Sequence, residues 1–327
     1  VKKLAWVTGA AGFIGFRLAE RLTQDGWSVV AIDHLAHFRE RTEHPTKIQA
    51  SWQLKERETF LREAEALANT SRPDAIFHLG ACADTMNLDA EYHRRMNVEY
   101  SQALWKVATE HQIPFLYASS AAVYGEGEHG YSDEHELTQK LRPLNPYGES
   151  KRQFDVWALE QSQAGRCPSH WSGYRFFNVY GFGEKHKGRM ASVVLHAFEQ
   201  VHATGKVRLF KSHRAGIADG EQKRDFLAVE DLIEVLLHGL NAPVPNGIYN
   251  LGTGRAQTFL DLARAVFQAM GRTEQIEFID TPVALRERYQ YFTQAEMGKL
   301  RRAGYSWPFL TLHQAVPLYL KRWKLDA

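Results

Sequence analysis

The sequence predicts an α/β fold: a doubly wound parallel sheet with a smaller interleaved C-terminal α/β domain. Three observations predict it. Short apolar runs alternate with stretches of helical periodicity along most of the chain. The first of these runs passes directly into a glycine-spaced turn and then into a helical pattern. The connections between runs have the lengths of strand–helix–strand units, until basic, glycine-containing loops interrupt the pattern beyond Phe182.

In chain order, LAWVT (4–8) is an apolar strand, GAAGFIG (9–15) follows at once, and FIGFRLAERLTQDG keeps helical spacing as far as Gly26. Gly9, Gly12 and Gly15 permit a tight turn, close approach of a pyrophosphate to backbone N–H groups, and close helix-on-strand packing. A glycine triplet alone marks no more than a turn. The strand before it and the helix after it are what a dinucleotide site of the Rossmann kind requires. SVVAID (28–33) ends in Asp33, eighteen residues after Gly15, where that fold reads the ribose. The carboxylate favours NAD, whereas His34, His37, Arg39 and Arg41 suit either a 2′-phosphate or a solvated loop.

DAIFHLGA (74–81) reads as the fourth strand, with Leu79, Gly80 and Ala81 at its end. ACADTMNLD is a loop placed to run along a cofactor, and residues 91–111 form a helix containing Asn97. PFLYASS (114–120) is a strand ending in Ser119 and Ser120. The following helix spans Tyr147 to Ala164, with Pro146 and Gly148 suiting its start. Tyr147 and Lys151, four apart, share a face of that helix. An ammonium close to a phenol favours phenolate and draws its pKa from about 10 toward neutrality, which suits proton exchange with a sugar hydroxyl. A surface pair with no such role has the same spacing.

HWSGYRFFNVYG (170–181) reads as a further strand. GFGEKHKGRM (181–190) and KSHRAGIADGEQKRDF (211–226) gather Lys185, His186, Lys187, Arg189 and Arg224 in loops that suit a diphosphate or plain solvent exposure. DFLAVEDLIEVLLHGL (225–240) is strand then helix, and GIYNLGTG (247–254) a strand and turn. Residues 255–327 alternate helices with one strand, IEFID (276–280). The division expected is 1–181 plus about 225–251 for the dinucleotide-binding domain, and about 182–224 plus 252–327 for the substrate domain.

Composition bounds the function. The 327 residues suffice for a large core, and a net charge of +2 without basic or acidic blocks argues against nucleic acid or a membrane surface as partner. Cys82 and Cys167 make neither a disulfide framework nor a metal set. They are expected to be buried thiols in a reducing cytosol. No run approaches the roughly 20 apolar residues of a membrane span, and VKKLAWVTGAAG goes straight into a strand. A cytoplasmic enzyme is expected.

Taken together, GAAGFIG, SSAAVYG (119–125), YGESK (147–151) and RFFNVYG (175–181) resemble the extended short-chain dehydrogenase/reductase family of nucleotide-sugar epimerases and dehydratases. Within it, IFHLGAC, HKGRMASV, KRDF, IYNLGTGRA and RYQYFTQAEM resemble the branch that inverts C6″ of an ADP-heptose for the lipopolysaccharide inner core. The resemblance implies a bound NADP, with NAD possible, an ADP-heptose substrate and a homo-oligomer, pentameric in that branch. It further implies a catalytic set of Ser120, Tyr147 and Lys151, with Lys187 as second acid/base. Gly12, Phe13, Asp33, His34, Lys55, Asn97, Val179 and His186 fall at its cofactor positions, beside Ile14 and the 79–81 strand end. Asn178, Arg189, His196, Phe210, Arg224 and Tyr289 fall at substrate positions. Arg189 replaces a serine and His34 an asparagine of the family pattern, and no acidic residue lies between Gln49 and Trp52, where the third strand is expected to end. A UDP-sugar 4-epimerase uses the same Ser, Tyr and Lys without needing Lys187. A 4,6-dehydratase carries an Asp-Glu pair where this chain has Ala121 and Ala122. A catalytically idle dinucleotide-binding regulator is the reading from another class, and predicts loss of Tyr147 or Lys151.

Overall fold

The computed structural model describes residues 2–40, 50–66, 72–286 and 289–325. They fall into two compact units, each made of three stretches of chain. The first comprises Val1–Phe176, Ile233–Asn250 and Gly298–Tyr305; the second comprises Phe177–Leu232, Leu251–Met297 and Ser306–Ala327.

The first unit is built on strands β1 (Leu4–Thr8), β2 (Ser28–Asp33), β3 (Gln53–Glu56), β4 (Ala75–His78), β5 (Phe115–Ser120), β6 (Trp171–Phe176) and β10 (Gly247–Leu251). They form one sheet in the order β10-β6-β5-β4-β1-β2-β3, and the pairs from β3 to β6 are parallel. Strands β4 and β6 are buried along their whole length, which is why they read as continuous apolar runs without alternation. The strand order reverses between β1 and β4, so the carboxyl ends of these two strands frame the crevice where such sheets bind ligands. Trp105, Phe115, Tyr117, Phe154 and Trp171 fill the core on one face, with the Trp105 and Trp171 rings 5.1 Å apart.

The second unit holds β7 (Asn178–Tyr180), β8 (Val207–Phe210), β9 (Lys223–Ala228), β11 (Ala256–Thr258) and β12 (Ile276–Ile279). These make a three-stranded sheet, β11-β9-β7, and a two-stranded one, β12-β8. Helices Val193–Thr204, Phe259–Met270 and Leu312–Leu325 cover them through one apolar cluster that includes Leu195, Leu262, Val266, Phe267 and Val316. The helix at Phe259 starts on a Thr258/Asp261 capping box and stops at left-handed Gly271, which fixes its length.

Five readings change. The run 170–181 is two strands in different sheets, because β6 pairs with β5 as far as Ser120↔Phe176 whereas β7 pairs with β9 from Asn178↔Phe226. Residues 91–111 are not one regular helix: Asp89 caps Ala90–His93, a π-helical turn follows over Arg94–Glu99, and Tyr100–Glu110 completes it. The third strand lies at Gln53–Glu56, beyond the expected position, so an acidic residue does stand at its end. IEFID has a companion in β11, whose three residues are too short to read from a pattern. Cys82 and Cys167 are half-buried free thiols. Among the described residues no helix is long and apolar enough to cross a membrane, and no cluster of His, Cys, Asp and Glu is arranged to hold a metal ion. Arg41 lies outside the described residues.

Candidate active site

In the first unit the glycine turn follows β1 directly. Gly9 has φ of +69°, and a Cβ there would lie 2.7 Å from the Gly80 nitrogen, so the two backbones touch where β1 and β4 end. A Cβ on Gly15 would lie 2.1 Å from the Gly9 carbonyl oxygen, which locks the first turn of helix Phe13–Gln24 onto the loop. That turn includes Phe13 and Ile14, has no side-chain cap at Gly12 and carries no acidic residue. These are the features a helix N-terminus needs to accept a pyrophosphate. Leu79 and Gly80 are tied to Thr8 by N–H bonds of 3.3 and 3.0 Å, and Ala81 continues the strand end.

Asp33 closes β2. Its Oδ2 accepts from the Ala11 N–H at 3.0 Å, and its Oδ1 lies 2.8 Å from the His34 N–H and 3.0 Å from the His37 ring. On the neighbouring strand, in register with Asp33, Glu56 accepts from the Leu35 N–H and contacts the His34 ring at 2.9 Å. Those bonds hold the Glu56 carboxyl below the usual range, the Leu35 N–H contributing most. Lys55 is paired with Glu63 at 2.6 Å. The glycine turn, the uncapped helix start and Asp33 thus fit a dinucleotide, with two carboxylates at the ribose end.

Asn145 caps helix Pro146–Gln163 by accepting from the Gly148 N–H at 2.8 Å, with Pro146 in the first turn. This start fixes Tyr147 and Lys151. The Ser120 hydroxyl, itself accepting from the Ala122 N–H at 3.1 Å, is hydrogen-bonded to the Tyr147 phenol. Burial nevertheless pushes that phenol up, and the Ser120 bond is what holds it down. The expected softening by Lys151 is therefore corrected. The ammonium donates to the Ala118 carbonyl at 2.9 Å, and burial draws it down to about 8 against the pull of Asp155.

Asn97 sits in the π-helical turn. Its side chain brackets Cys82, accepting from the N–H at 2.8 Å and donating to the carbonyl at 3.0 Å, and it also reaches Ser150 at 2.9 Å. Ser150 in turn donates to the Tyr147 carbonyl at 2.7 Å. One amide thus joins the loop after β4 to the start of the Tyr147 helix, and the extra residue of the π turn delivers it.

In the second unit β7 carries Asn178, exposed, and Val179, half-buried. The turn Lys185–Met190 carries exposed His186 and Arg189 and half-buried Lys187. Burial pushes Lys187 down, opposed by the charge of Glu184. His196 lies on helix Val193–Thr204, 3.9 Å from Glu199. Phe210, Arg224 and Tyr289, distant in sequence, do meet: the Arg224 guanidinium lies 5.6 Å from the Tyr289 ring centre, and the Phe210 ring 6.3 Å from it.

Sequence reasoning missed several neighbours. Tyr291 packs edge-on against Tyr289 at 5.3 Å and lies under the Arg214 guanidinium at 5.7 Å, extending the Arg224 set into the 211–222 loop. Asp155 accepts from Ser119 at 2.9 Å, Tyr117 at 3.0 Å and Arg175 at 2.9 Å in a pair with no exposed side-chain surface. A signal existed for Asp155, which stands one further helical turn beyond Lys151. For Tyr291 there was none.

A family model described as the NAD dependent epimerase/dehydratase family matches residues 5–252. A curated ADP-L-glycero-D-manno-heptose-6-epimerase of Fusobacterium nucleatum is 39% identical, over 97% of each chain. The solved Helicobacter pylori ADP-L-glycero-D-manno-heptose-6-epimerase superimposes with a TM-score of 0.78 at 26% identity, covering 98% of this chain and 96% of its own. A Thermus thermophilus UDP-glucose 4-epimerase in complex with NAD gives 0.77 at 25% identity, with 98% and 99% covered.

Proposed function

The chain belongs to the NAD dependent epimerase/dehydratase family and is an enzyme of its epimerase kind, and from this premise we propose that it converts ADP-D-glycero-D-manno-heptose into the L-glycero epimer at C6″ for lipopolysaccharide inner-core synthesis. The observation that carries the reaction class is the Ser120 hydroxyl on the Tyr147 phenol, with the Lys151 ammonium on the same helix. Identity along nearly the whole length to a relative of that name supports the sugar.

A nicotinamide dinucleotide, which the 9–15 glycine turn, the uncapped helix start and Asp33 would hold, would supply reversible hydride chemistry at C6″ with no net redox change. Tyr147 exchanges the hydroxyl proton as the carbonyl forms and is reduced again, and the Ser120 hydrogen bond, which opposes the effect of burial on the phenol, favours its deprotonated form. Lys187 is the second acid/base, serving the other face. Burial moves its pKa in the direction this role needs. Arg224 binds the diphosphate and Tyr289 packs on the nucleotide. The resemblance alone points to NADP, with NAD possible. Asp33 and Glu56, in register at adjacent strand ends, weigh toward NAD, because a 2′-phosphate would face both carboxylates. A homo-oligomer is part of the same reading.

The test is to incubate the protein with ADP-D-glycero-D-manno-heptose and, separately, with UDP-galactose, and to follow both by NMR. Inversion at C6″ in the first tube alone is expected; conversion only in the second assigns a UDP-sugar 4-epimerase. Lys187→Met separates base from phosphate contact, since a contact raises KM and leaves kcat intact.

A further inference from the structure

The turn that carries Lys187 is built around one buried carboxylate, and we propose that Glu184 is a positioning residue for the second acid/base, fixing the turn from both ends. The inference rests on the reading of Lys187 given above. Glu184 is fully buried. Its Oε1 accepts from the Gly181 N–H at 3.2 Å, the Ser192 hydroxyl at 2.7 Å and the Tyr319 phenol at 3.1 Å, and its Oε2 accepts from the Ser192 N–H at 2.6 Å. Gly181 precedes the turn Lys185–Met190 and Ser192 follows it, so entry and exit are tied to the same group. Tyr319 anchors that group to helix Leu312–Leu325. Inside the turn the Lys187 N–H donates to the Glu184 carbonyl at 3.0 Å, and Gly188, with φ of +52°, lets the chain reverse before Ala191.

A carboxylate this deep costs several kcal/mol unless it is well hydrogen-bonded, and four donors offset that cost. Closing the turn does not by itself require a charge. What the carboxylate adds is a negative charge whose field opposes the effect of burial on the half-buried Lys187 ammonium. The other charged or titratable groups around the turn are Lys185, His186 and Arg189 on it, Tyr319 and Arg322 from helix Leu312–Leu325, and Glu230, which lies 4.0 Å from Arg322.

Glu184→Gln keeps the size and removes the charge. The expected result is a kcat about tenfold lower or more, as small misplacements of reacting groups produce, with KM within about twofold. The limb of the kcat pH profile that is absent in Lys187→Met moves to lower pH, because loss of the negative charge lets Lys187 deprotonate sooner. A kcat loss without movement of that limb means a merely structural role and overturns the proposal, as does an unchanged kcat. If Glu184→Gln does not fold, Ser192→Ala and Tyr319→Phe, which leave the carboxylate in place, are expected to lower kcat without moving the limb; wild-type kcat in both overturns the proposal. An unchanged kcat in Lys187→Met overturns the base reading itself, and the positioning role with it.

Discussion

Asp155→Asn isolates the buried charge that supports the Ser119–Ser120 strand end. Asp155 and Arg175 have no exposed side-chain surface, and the guanidinium also donates to the Tyr124 hydroxyl at 3.1 Å and the Thr138 hydroxyl at 3.0 Å. An asparagine leaves Arg175 charged and unpaired in the interior, which costs about 3–5 kcal/mol. The amide nitrogen adds to this, because one carboxylate oxygen that accepted from Ser119 and Arg175, or the other that accepted from Tyr117, becomes a donor facing donors. Against a typical folding stability of about 5–15 kcal/mol the loss is large. Urea unfolding followed by circular dichroism measures it. The double variant Asp155→Leu/Arg175→Met removes both charges and is expected to recover part of the loss, since apolar replacement of a buried pair is often neutral. It does not recover all, because the hydroxyls of Tyr117, Ser119, Tyr124 and Thr138 lose partners. An Asp155→Asn protein within about 1 kcal/mol of wild type would refute the reasoning.

Tyr147→Phe is expected to lower kcat by roughly 100- to 10,000-fold while leaving thermal stability near wild type; a drop under tenfold in steady-state assays removes the phenol from the mechanism. Gly15→Ala puts a methyl 2.1 Å from the Gly9 carbonyl, so the loop must open, and the purified variant is expected to carry no dinucleotide by absorbance of a denatured extract. His78 bonds Thr8 and Ser101 at 2.7 Å each, and burial first, then the Lys151 charge, pushes it down to about 3. Between pH 6.5 and about 3 the unfolded imidazole binds a proton that the folded one refuses, so stability falls as pH falls through that window, by about 1.4 kcal/mol per unit. Chemical unfolding at pH 7, 6 and 5 checks this, and His78→Gln is expected to flatten the slope.

The sheet was legible because its strands are buried on both faces and flanked by helices of clear period; LAWVT, SVVAID and PFLYASS needed no partner information. What escaped depends on pairing. Phe177 divides one apolar run between two sheets, and nothing local marks the division. Strand Gln53–Glu56 is mostly polar and exposed at the sheet edge, so periodicity hides it together with Glu56. The Tyr147 and Lys151 pair was visible as spacing on one helix and the Ser119–Ser120 pair as a strand end, while the choice of Ser120 and the catalytic role of the set came from resemblance. Asn97 was readable only as a position in a resemblance, because its reach to Cys82 and Ser150 depends on a π turn that sequence does not announce. Arg224 and Tyr289 likewise came from resemblance, and their meeting is set by tertiary folding.

The division of each unit into three stretches of chain has a consequence for synthesis. The first sheet gains its last strand, Gly247–Leu251, from residues made after all of Phe177–Leu232. Lys299 and Arg302, later still, reach back to the Asp133 carbonyl at 2.9 Å and the Glu134 carboxylate at 3.2 Å. On the ribosome, then, the first sheet stays unfinished until Gly247–Leu251 has emerged, and synthesis that stops short of it leaves the β6 edge unpaired.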